Sequence, residues 1–450
     1  MQSPLEQPAF VTPPSKFSQV TAALRKAVQA NVTKAREHNA AFLYTGASVL
    51  VSICSMISGI VMMRYITPED LGLWQSVRLA VTYAPFVMAG VTNGLSRELP
   101  YYFGRADEQG AARLAGTAQL YLLGAGLLVL LGGAASLLLL RHHETKLLWA
   151  VAAVTVSIIA TFYTNYLIVT YRSSKAFKDY SKIKLVEALC TVGTIPLVIY
   201  LGYGGMLGRA LILALLVLTC MHWLRPLKIS PCWNWGSLVS LLKTGVPIFA
   251  LDYVANSAST CDRLVLLKLG GVATVGYYSL ALMAREAISI VPGALSEYIY
   301  PRMSYSYGQY HDPLRLWRMA VKSSLLVVAF MIPAVALGWV LMPPVVSKLF
   351  PKYTEAVTAA QWLLVAAIFS GATLGRMAIW SMKDWKLMTW YQVLSILFTI
   401  AGPVLGGWFG KQTPLIGVSM GILISQAAWL PVAGLLVYLA THKRIARTAA

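Results

Sequence analysis

Arg78-Leu79-Ala80-Val81-Thr82-Tyr83-Ala84-Pro85 is echoed further along the chain by Arg285-Glu286-Ala287-Ile288-Ser289-Ile290-Val291-Pro292. Each run carries an arginine, a hydroxyl residue four positions on and a proline seven positions on. On a helix, offsets of four and seven share one face. Each run therefore presents a cation, a hydroxyl and a bend site in one direction. Such a pair in an apolar chain reads as a two-halved membrane protein with positive charge in its interior. The alternative is a chance echo in low-complexity apolar sequence.

Of the 450 residues, 57% are apolar and only 12% charged, against about 25% charged in soluble domains. Apolar runs of roughly twenty residues, each long enough to cross a bilayer as a helix, recur along the chain. About twelve spans are expected, near 42–64, 74–96, 113–140, 147–170, 182–202, 205–224, 244–268, 274–297, 318–342, 356–381, 387–409 and 413–441. The expected organisation is a basic tail at 1–40, a first half at 41–224, a linker at 225–243, a second half at 244–441 and a basic tail at 442–450. No cleavable signal peptide is expected, because the first apolar run follows a polar, basic stretch and acts as an anchor.

The net charge of +20 does not indicate nucleic acid, since the basic residues form no single patch and recur between apolar runs. With a cytoplasmic N-terminus, the inner segments hold about 25 of the 37 lysines and arginines and the outer loops about eight, the bias that encodes orientation. Inner clusters include Arg172, Lys175, Lys178, Lys182 and Lys184, then Arg302, Arg315, Arg318 and Lys322, then Lys443, Arg444 and Arg447. The C-terminus is then cytoplasmic too. The stretch from Phe17 to His38 fits a helix on the inner membrane surface or a charged tail that fixes orientation. Trp74, Trp149, Trp223, Trp235, Trp380, Trp385 and Trp408 fall near span ends, where indole rings anchor at the interface. Pro85, Pro196, Pro247, Pro292, Pro333, Pro403 and Pro431 fall within spans as candidate bends.

Ionisable residues inside spans are costly and usually face a cavity. Arg285 lies roughly 16 Å into its span at 1.5 Å per residue, near the midplane. Asp252, Asn256, Ser259 and Arg263 form a stripe at helical offsets, while Asp262 points elsewhere; the stripe faces either a cavity or a hydrogen-bonded helix seam. Arg78 is only roughly 6 Å in, within snorkelling range of an interface, and Arg376 is similarly near the other end of its span. Arg285, Arg263, Arg78, Arg376 and Asn256 are the candidate substrate contacts. Asp252, Asp262 and Glu286 are the candidates for ion or proton coupling, with Glu297 a further acid of the same kind. Adjacent residues diverge on a helix, so Glu286 need not neutralise Arg285.

Other motifs are set aside. Gly202, Gly204, Gly205 and Gly208 read as a short turn, because no strand or Walker lysine accompanies them. His142, His143 and Glu144 read as an exposed loop without a further metal ligand. The five cysteines lack metal-ligand spacing and read as small packing residues. No catalytic residue, metal or cofactor is expected.

Ile66-Thr67-Pro68-Glu69-Asp70-Leu71-Gly72-Leu73-Trp74, followed by Gly94-Leu95-Ser96-Arg97-Glu98, resembles the Wzx-type flippases. These form part of the polysaccharide transport branch of the multidrug/oligosaccharidyl-lipid/polysaccharide exporter superfamily. Thr67 stands where that family usually has glycine. Asp262-Arg263, Gly270, Gly276-Tyr277-Tyr278-Ser279 and Pro301-Arg302 carry a second resemblance in the region of spans seven and eight. The resemblance implies an all-α polytopic membrane protein with two six-helix bundles around a central cavity, working by alternating access in the bacterial inner membrane. It implies undecaprenyl-diphosphate-linked oligosaccharide as substrate, membrane lipids as surroundings, and polysaccharide polymerase and chain-length proteins as partners. Arginine matches phosphate bidentately, so Arg285 and Arg263 are expected to grip the diphosphate, with bends near Pro85 and Pro292. A multidrug-cation exporter and a lipid II flippase of the same superfamily remain as rivals. An integral-membrane polymerase or ligase is disfavoured by the short outer loops.

Overall fold

The computed structural model describes residues 43, 46–48, 50–174, 176–382 and 384–448. The basic stretch from Phe17 to His38 and Lys175 lie outside the described residues, as do the side chains of Asp252, Glu297, Lys443, Arg444 and Arg447. The chain is all-α, with no strand among the described residues. After α1 (Gly46–Tyr65) come α2 (Pro68–Tyr83), α3 (Val91–Gly104), α4 (Glu108–Leu139), α5 (Thr145–Ser173), α6 (Phe177–Gly193) and α7 (Ile195–Trp223). An extended connection leads to α8 (Trp235–Ala258), α9 (Cys261–Tyr310), α10 (Pro313–Leu349), α11 (Val357–Gly371), α12 (Arg376–Ser381), α13 (Trp385–Phe409) and α14 (Pro414–Thr448). The helix α14 thus carries straight on through the expected start of the basic tail at residue 442.

Nine stretches of the described chain are long and apolar enough to cross a bilayer. The difference from twelve has local causes. The run at 74–96 is divided into α2, a 3₁₀ turn over Ala84–Met88 and α3. The run at 182–202 is shared between α6 and the first turns of α7, and Pro196 accordingly sits in the first turn of α7 rather than in a helix interior. The runs at 244–268 and 274–297 belong to one apolar stretch, Trp235–Ile290, that reverses at Gly271, whose φ of 75° favours glycine. Gly202 (φ 54°) reverses α7 in the same way, so close that a Cβ on Gly205 would strike the carbonyl of Leu197. The glycine-rich segment is therefore a turn.

The helix starts are written in the sequence. Thr67 accepts a hydrogen bond from the Asp70 amide (3.3 Å), with Pro68 in the first turn and Glu69 and Asp70 complementing the helix N-terminus. Asp107, Asn234, Asp312 and Asp384 cap α4, α8, α10 and α13 in the same way. One apolar core joins residues of α1 to α8, with Leu280, Val346, Phe350, Tyr353 and Ala356 of the second half added. Two others lie between residues 266 and 440. Leu127, Leu128, Leu131, Leu138 and Leu139 stay exposed along α4, as suits a helix face in lipid. Trp149, Trp223, Trp235, Trp385 and Trp408 are exposed near helix ends, as expected of interface anchors. Trp74 is instead buried, because α2 starts at Pro68 and carries it into the core.

The two halves meet along a seam made by α2 and α3 against α8 and α9. At one end a Cβ on Gly72 would strike the backbone of Val272, and one on Gly276 the backbone of Pro68. Small residues here let the backbones touch. The Tyr353 hydroxyl donates to the Ile66 carbonyl at 3.2 Å beside this contact. Further along, the Tyr83 and Thr260 hydroxyls share a 2.9 Å hydrogen bond and the Tyr253 hydroxyl donates to the Tyr83 carbonyl (3.1 Å). These contacts join two helix breaks, one after Tyr83 and one at Ser259–Thr260. Ala89 and Gly90, both at positive φ, redirect the chain into α3.

Candidate functional site

A cavity of about 610 Å³ lies between α1, α2 and α9, within the size range of small-molecule sites. Gln75, Arg78 and Thr82 line it from α2, and Arg263, Ser279 and Glu286 from α9. Ser52 and Ser55 of α1 add hydroxyls to a wall otherwise built of Met56, Met62, Met63, Leu282 and Met283. Arg78 and Thr82 reach the same space because they are one helical turn apart, and Gln75 precedes Arg78 by three residues on that face. Arg78 is exposed, although it lies between helices, because it opens onto this cavity.

A second cavity of about 280 Å³ lies within the C-terminal half. It is lined by Ser259, Asp262, Arg285, Ser289, Ser370, Thr399, Ser425 and Gln426, with Pro403 and Ile422 among its apolar wall. Here too the arginine and the hydroxyl four residues on, Arg285 and Ser289, share a space.

The helix α9 is the partition between these cavities. Asp262 and Arg263 are neighbours in sequence yet line different cavities, and so do Arg285 and Glu286. Successive helical residues point about 100° apart, which sorts the charges crosswise. The larger cavity receives Arg78, Arg263 and Glu286; the smaller receives Asp262 and Arg285. Asp262 is 3% exposed. Its carboxylate accepts hydrogen bonds from the Tyr278 hydroxyl and from the Arg263 amide, both at 2.7 Å. Among the described residues, no carboxylate stands within ion-pair distance of Arg78, Arg263 or Arg285. The Arg263 Nε is buried with no hydrogen-bond partner among the described residues, which is costly unless something else fills that role.

The expected single-faced stripe is corrected by the helix break. Because α8 stops at Ala258 and α9 starts at Cys261, the offsets from Asp252 to Arg263 do not run along one helix. Ser259 faces the smaller cavity and Arg263 the larger, while Asn256 is exposed and lines neither. Asp252 belongs to α8, with its side chain outside the described residues. Arg376 also lines neither cavity. It opens into an apolar pocket between α10, α12 and α14.

Residues not singled out from sequence include Gln75 in the larger cavity and Ser370, Thr399, Ser425 and Gln426 in the smaller. Gln75 shares the face of Arg78 and Thr82, so its signal was present; the others are isolated polar positions in apolar runs that only packing brings together. Arg209 was likewise overlooked inside α7. It donates to the Thr191 carbonyl at 3.3 Å, near the end of α6. His142, His143 and Glu144 are exposed, and no cluster able to hold a metal occurs among the described residues.

The two motifs that resemble the flippase family meet in space. Gly72 packs against Val272 and Gly276 against Pro68, so these residues join the halves, while Asp262 and Arg263 of the second motif divide between the cavities.

The chain is 27% identical over 148 residues to the amylovoran biosynthesis protein AmsL of Erwinia amylovora, a match covering 32% of this chain and only 37% of that protein. The fold is similar to that of a multidrug resistance MATE family transporter of the MOP superfamily solved in an inward-facing conformation, with a TM-score of 0.66, 14% identity, and 89% of this chain and 99% of the other covered. It also matches the lipid II flippase MurJ in an inward closed conformation, with a TM-score of 0.65, 14% identity, and coverage of 89% and 87%. At these identities the likeness is one of fold. A family profile described as "Polysaccharide biosynthesis protein" matches residues 61–358. That span is more than half of the sequence, and the chain belongs to this polysaccharide biosynthesis family.

Proposed function

We propose that the protein is a flippase that carries undecaprenyl-diphosphate-linked saccharide units from the cytoplasmic to the periplasmic leaflet for surface polysaccharide synthesis. The observation that carries this reading is the pairing of Arg78 with Arg263 in one cavity, two arginines against the single carboxylate of Glu286, in a chain of a polysaccharide biosynthesis family. A diphosphate entering a membrane needs counter-charge and hydrogen-bond donors. Arginine supplies both in a planar fork, and its strength grows where water is excluded. The grip expected from Arg285 and Arg263 is thereby revised to Arg78 and Arg263, with Arg285 in the neighbouring cavity and Arg376 and Asn256 outside the grip.

In this mechanism Glu286 serves as the resting counter-ion of the two arginines and yields to the diphosphate when substrate enters. The saccharide lies along Gln75, Thr82, Ser52 and Ser55, and the lipid tail stays in the bilayer. The contact of Gly72 and Gly276 closes one end of the seam. Opening that contact while the other end closes exchanges the leaflet that the cavity faces, and the interruption after Tyr83 lets α2 and α3 move separately. Asp262, buried beside Arg285, is the coupling group, and Asp252 and Glu286 are the further acids available to it. Both termini lie in the cytoplasm, the membrane is the bacterial inner membrane, and polymerase and chain-length proteins act on the product. No covalent chemistry is involved.

A multidrug-cation exporter is the reading favoured by Asp262 and Glu286 taken alone. Two arginines in the larger cavity repel a cationic substrate, which argues against it. The test is a deletion strain whose lipids are extracted. A complete saccharide unit accumulating on undecaprenyl diphosphate at the cytoplasmic face, with surface polymer lost, is the expected result. Accumulation at the periplasmic face would point to a polymerase or ligase, and intact polymer with no accumulation would favour the small-molecule exporter.

A further inference from the structure

Arg376 stands apart from both polar cavities. It opens into a pocket of about 270 Å³ whose other lining groups are almost all apolar, among them Trp317, Val321, Leu325, Tyr391 and Val437. Its guanidinium lies 5.7 Å from the ring centre of Trp380, and among the described residues it has no carboxylate within ion-pair distance. Leu325 is 64% exposed, so the pocket opens on the lipid-facing surface rather than into the bundle. Arg376 opens α12, eight residues before Asp384, the cap of α13. The pocket adjoins Trp317 near the start of α10, the end that carries the exposed Arg318 and Lys322.

An apolar slot on the lipid side, headed by an arginine with no carboxylate partner among the described residues, matches a molecule with an acyl chain and an anionic head. We propose that this pocket binds an anionic glycerophospholipid of the bilayer, with one acyl chain in the slot and the phosphate on Arg376. The chain lies along Val321, Leu325 and Val437, and the aromatic groups of Trp317 and Trp380 flank the headgroup region. Gly434 keeps the slot open: a Cβ there would meet nothing within 4 Å, so a larger side chain fills the slot without striking backbone. The site is independent of the transported substrate, which uses Arg78 and Arg263.

The test uses the delipidated full chain in detergent and native mass spectrometry with phosphatidylglycerol or phosphatidylcholine. Phosphatidylglycerol is expected to be retained about tenfold better, on the scale of one charge-assisted hydrogen bond. Arg376→Gln should abolish the preference, Arg376→Lys should restore part of it, and Gly434→Leu should weaken binding of both lipids with helix content unchanged. Arg318→Gln with Lys322→Gln should leave the preference in place. Equal retention of the two lipids by the unaltered protein, or a preference that survives Arg376→Gln, would overturn the proposal. So would a preference lost only with Arg318 and Lys322, since diffuse surface charge would then explain it. Displacement of phosphatidylglycerol by equimolar undecaprenyl phosphate would also overturn it, by assigning the pocket to the transported lipid.

Discussion

Arg78 and Thr82 face a cavity that also holds Arg263 and Glu286, whereas Arg285 and Ser289 face one that holds the buried Asp262. The two runs share a spacing, and in each the spacing does what helical geometry requires: it aims an arginine and a hydroxyl into one space. What differs is the company. The Arg78 side meets a second arginine across the seam between the halves. The Arg285 side meets a carboxylate held by Tyr278 within its own half. Identical local patterns therefore produce a cationic site at the seam and a near-neutral polar site inside one half. The prolines diverge as well. Pro85 lies in a 3₁₀ turn that ends α2, while Pro292 is buried within α9, beyond its reversal at Gly271, and lies beside Gly371.

Substitutions at the two sites should have different effects. Replacing Arg78 and Arg263 together with alanine should reduce polysaccharide export by a hundredfold or more, at about 1.5–3 kcal/mol for each charged hydrogen bond lost; export from a complemented deletion strain reads this out. Glu286→Gln removes the resting counter-ion and should tighten diphosphate binding by about tenfold while slowing turnover, measured by lipid binding and by export rate. Pro85→Ala should slow export several-fold by extending α2, whereas Pro292→Ala should leave it near the unaltered rate; equal effects would remove the asymmetry assigned to the two bends. Tyr278→Phe deprives Asp262 of a hydroxyl donor and should cost about 1–2 kcal/mol of stability, seen as a lowered Tm, with diphosphate binding retained.

Much of this arrangement is legible in the sequence. The Thr67-Pro68-Glu69-Asp70 helix start, the Gly202 turn, the membrane class and the shared face of Arg78 and Thr82 all follow from local rules. The break at Ser259–Thr260 does not. Ala258-Ser259-Thr260-Cys261 contains no proline or glycine, and the break meets a hydrogen bond that Thr260 shares with Tyr83, far away in sequence. Read as one continuous helix, the stretch puts Asn256 and Arg263 on one face; that Asp262 diverges from Arg263 and Glu286 from Arg285 is legible, while the cavity each enters is not. Pro85 and Pro292 read alike in sequence, yet the first lies in the turn that ends α2 and the second lies within α9 beside Gly371. Trp74 reads as an interface anchor only until the cap at Thr67 shows how early its helix starts.

In the proposed mechanism the diphosphate is held at the seam, by Arg78 and Arg263, and not in the Arg285 cavity. The most direct test is the affinity of undecaprenyl diphosphate for the purified protein in lipid nanodiscs, compared among Arg78→Ala, Arg263→Ala and Arg285→Ala. The account predicts a loss of about tenfold or more for each of the first two and little change for the third. A large loss with Arg285→Ala, alongside unchanged binding in Arg78→Ala and Arg263→Ala, would contradict it.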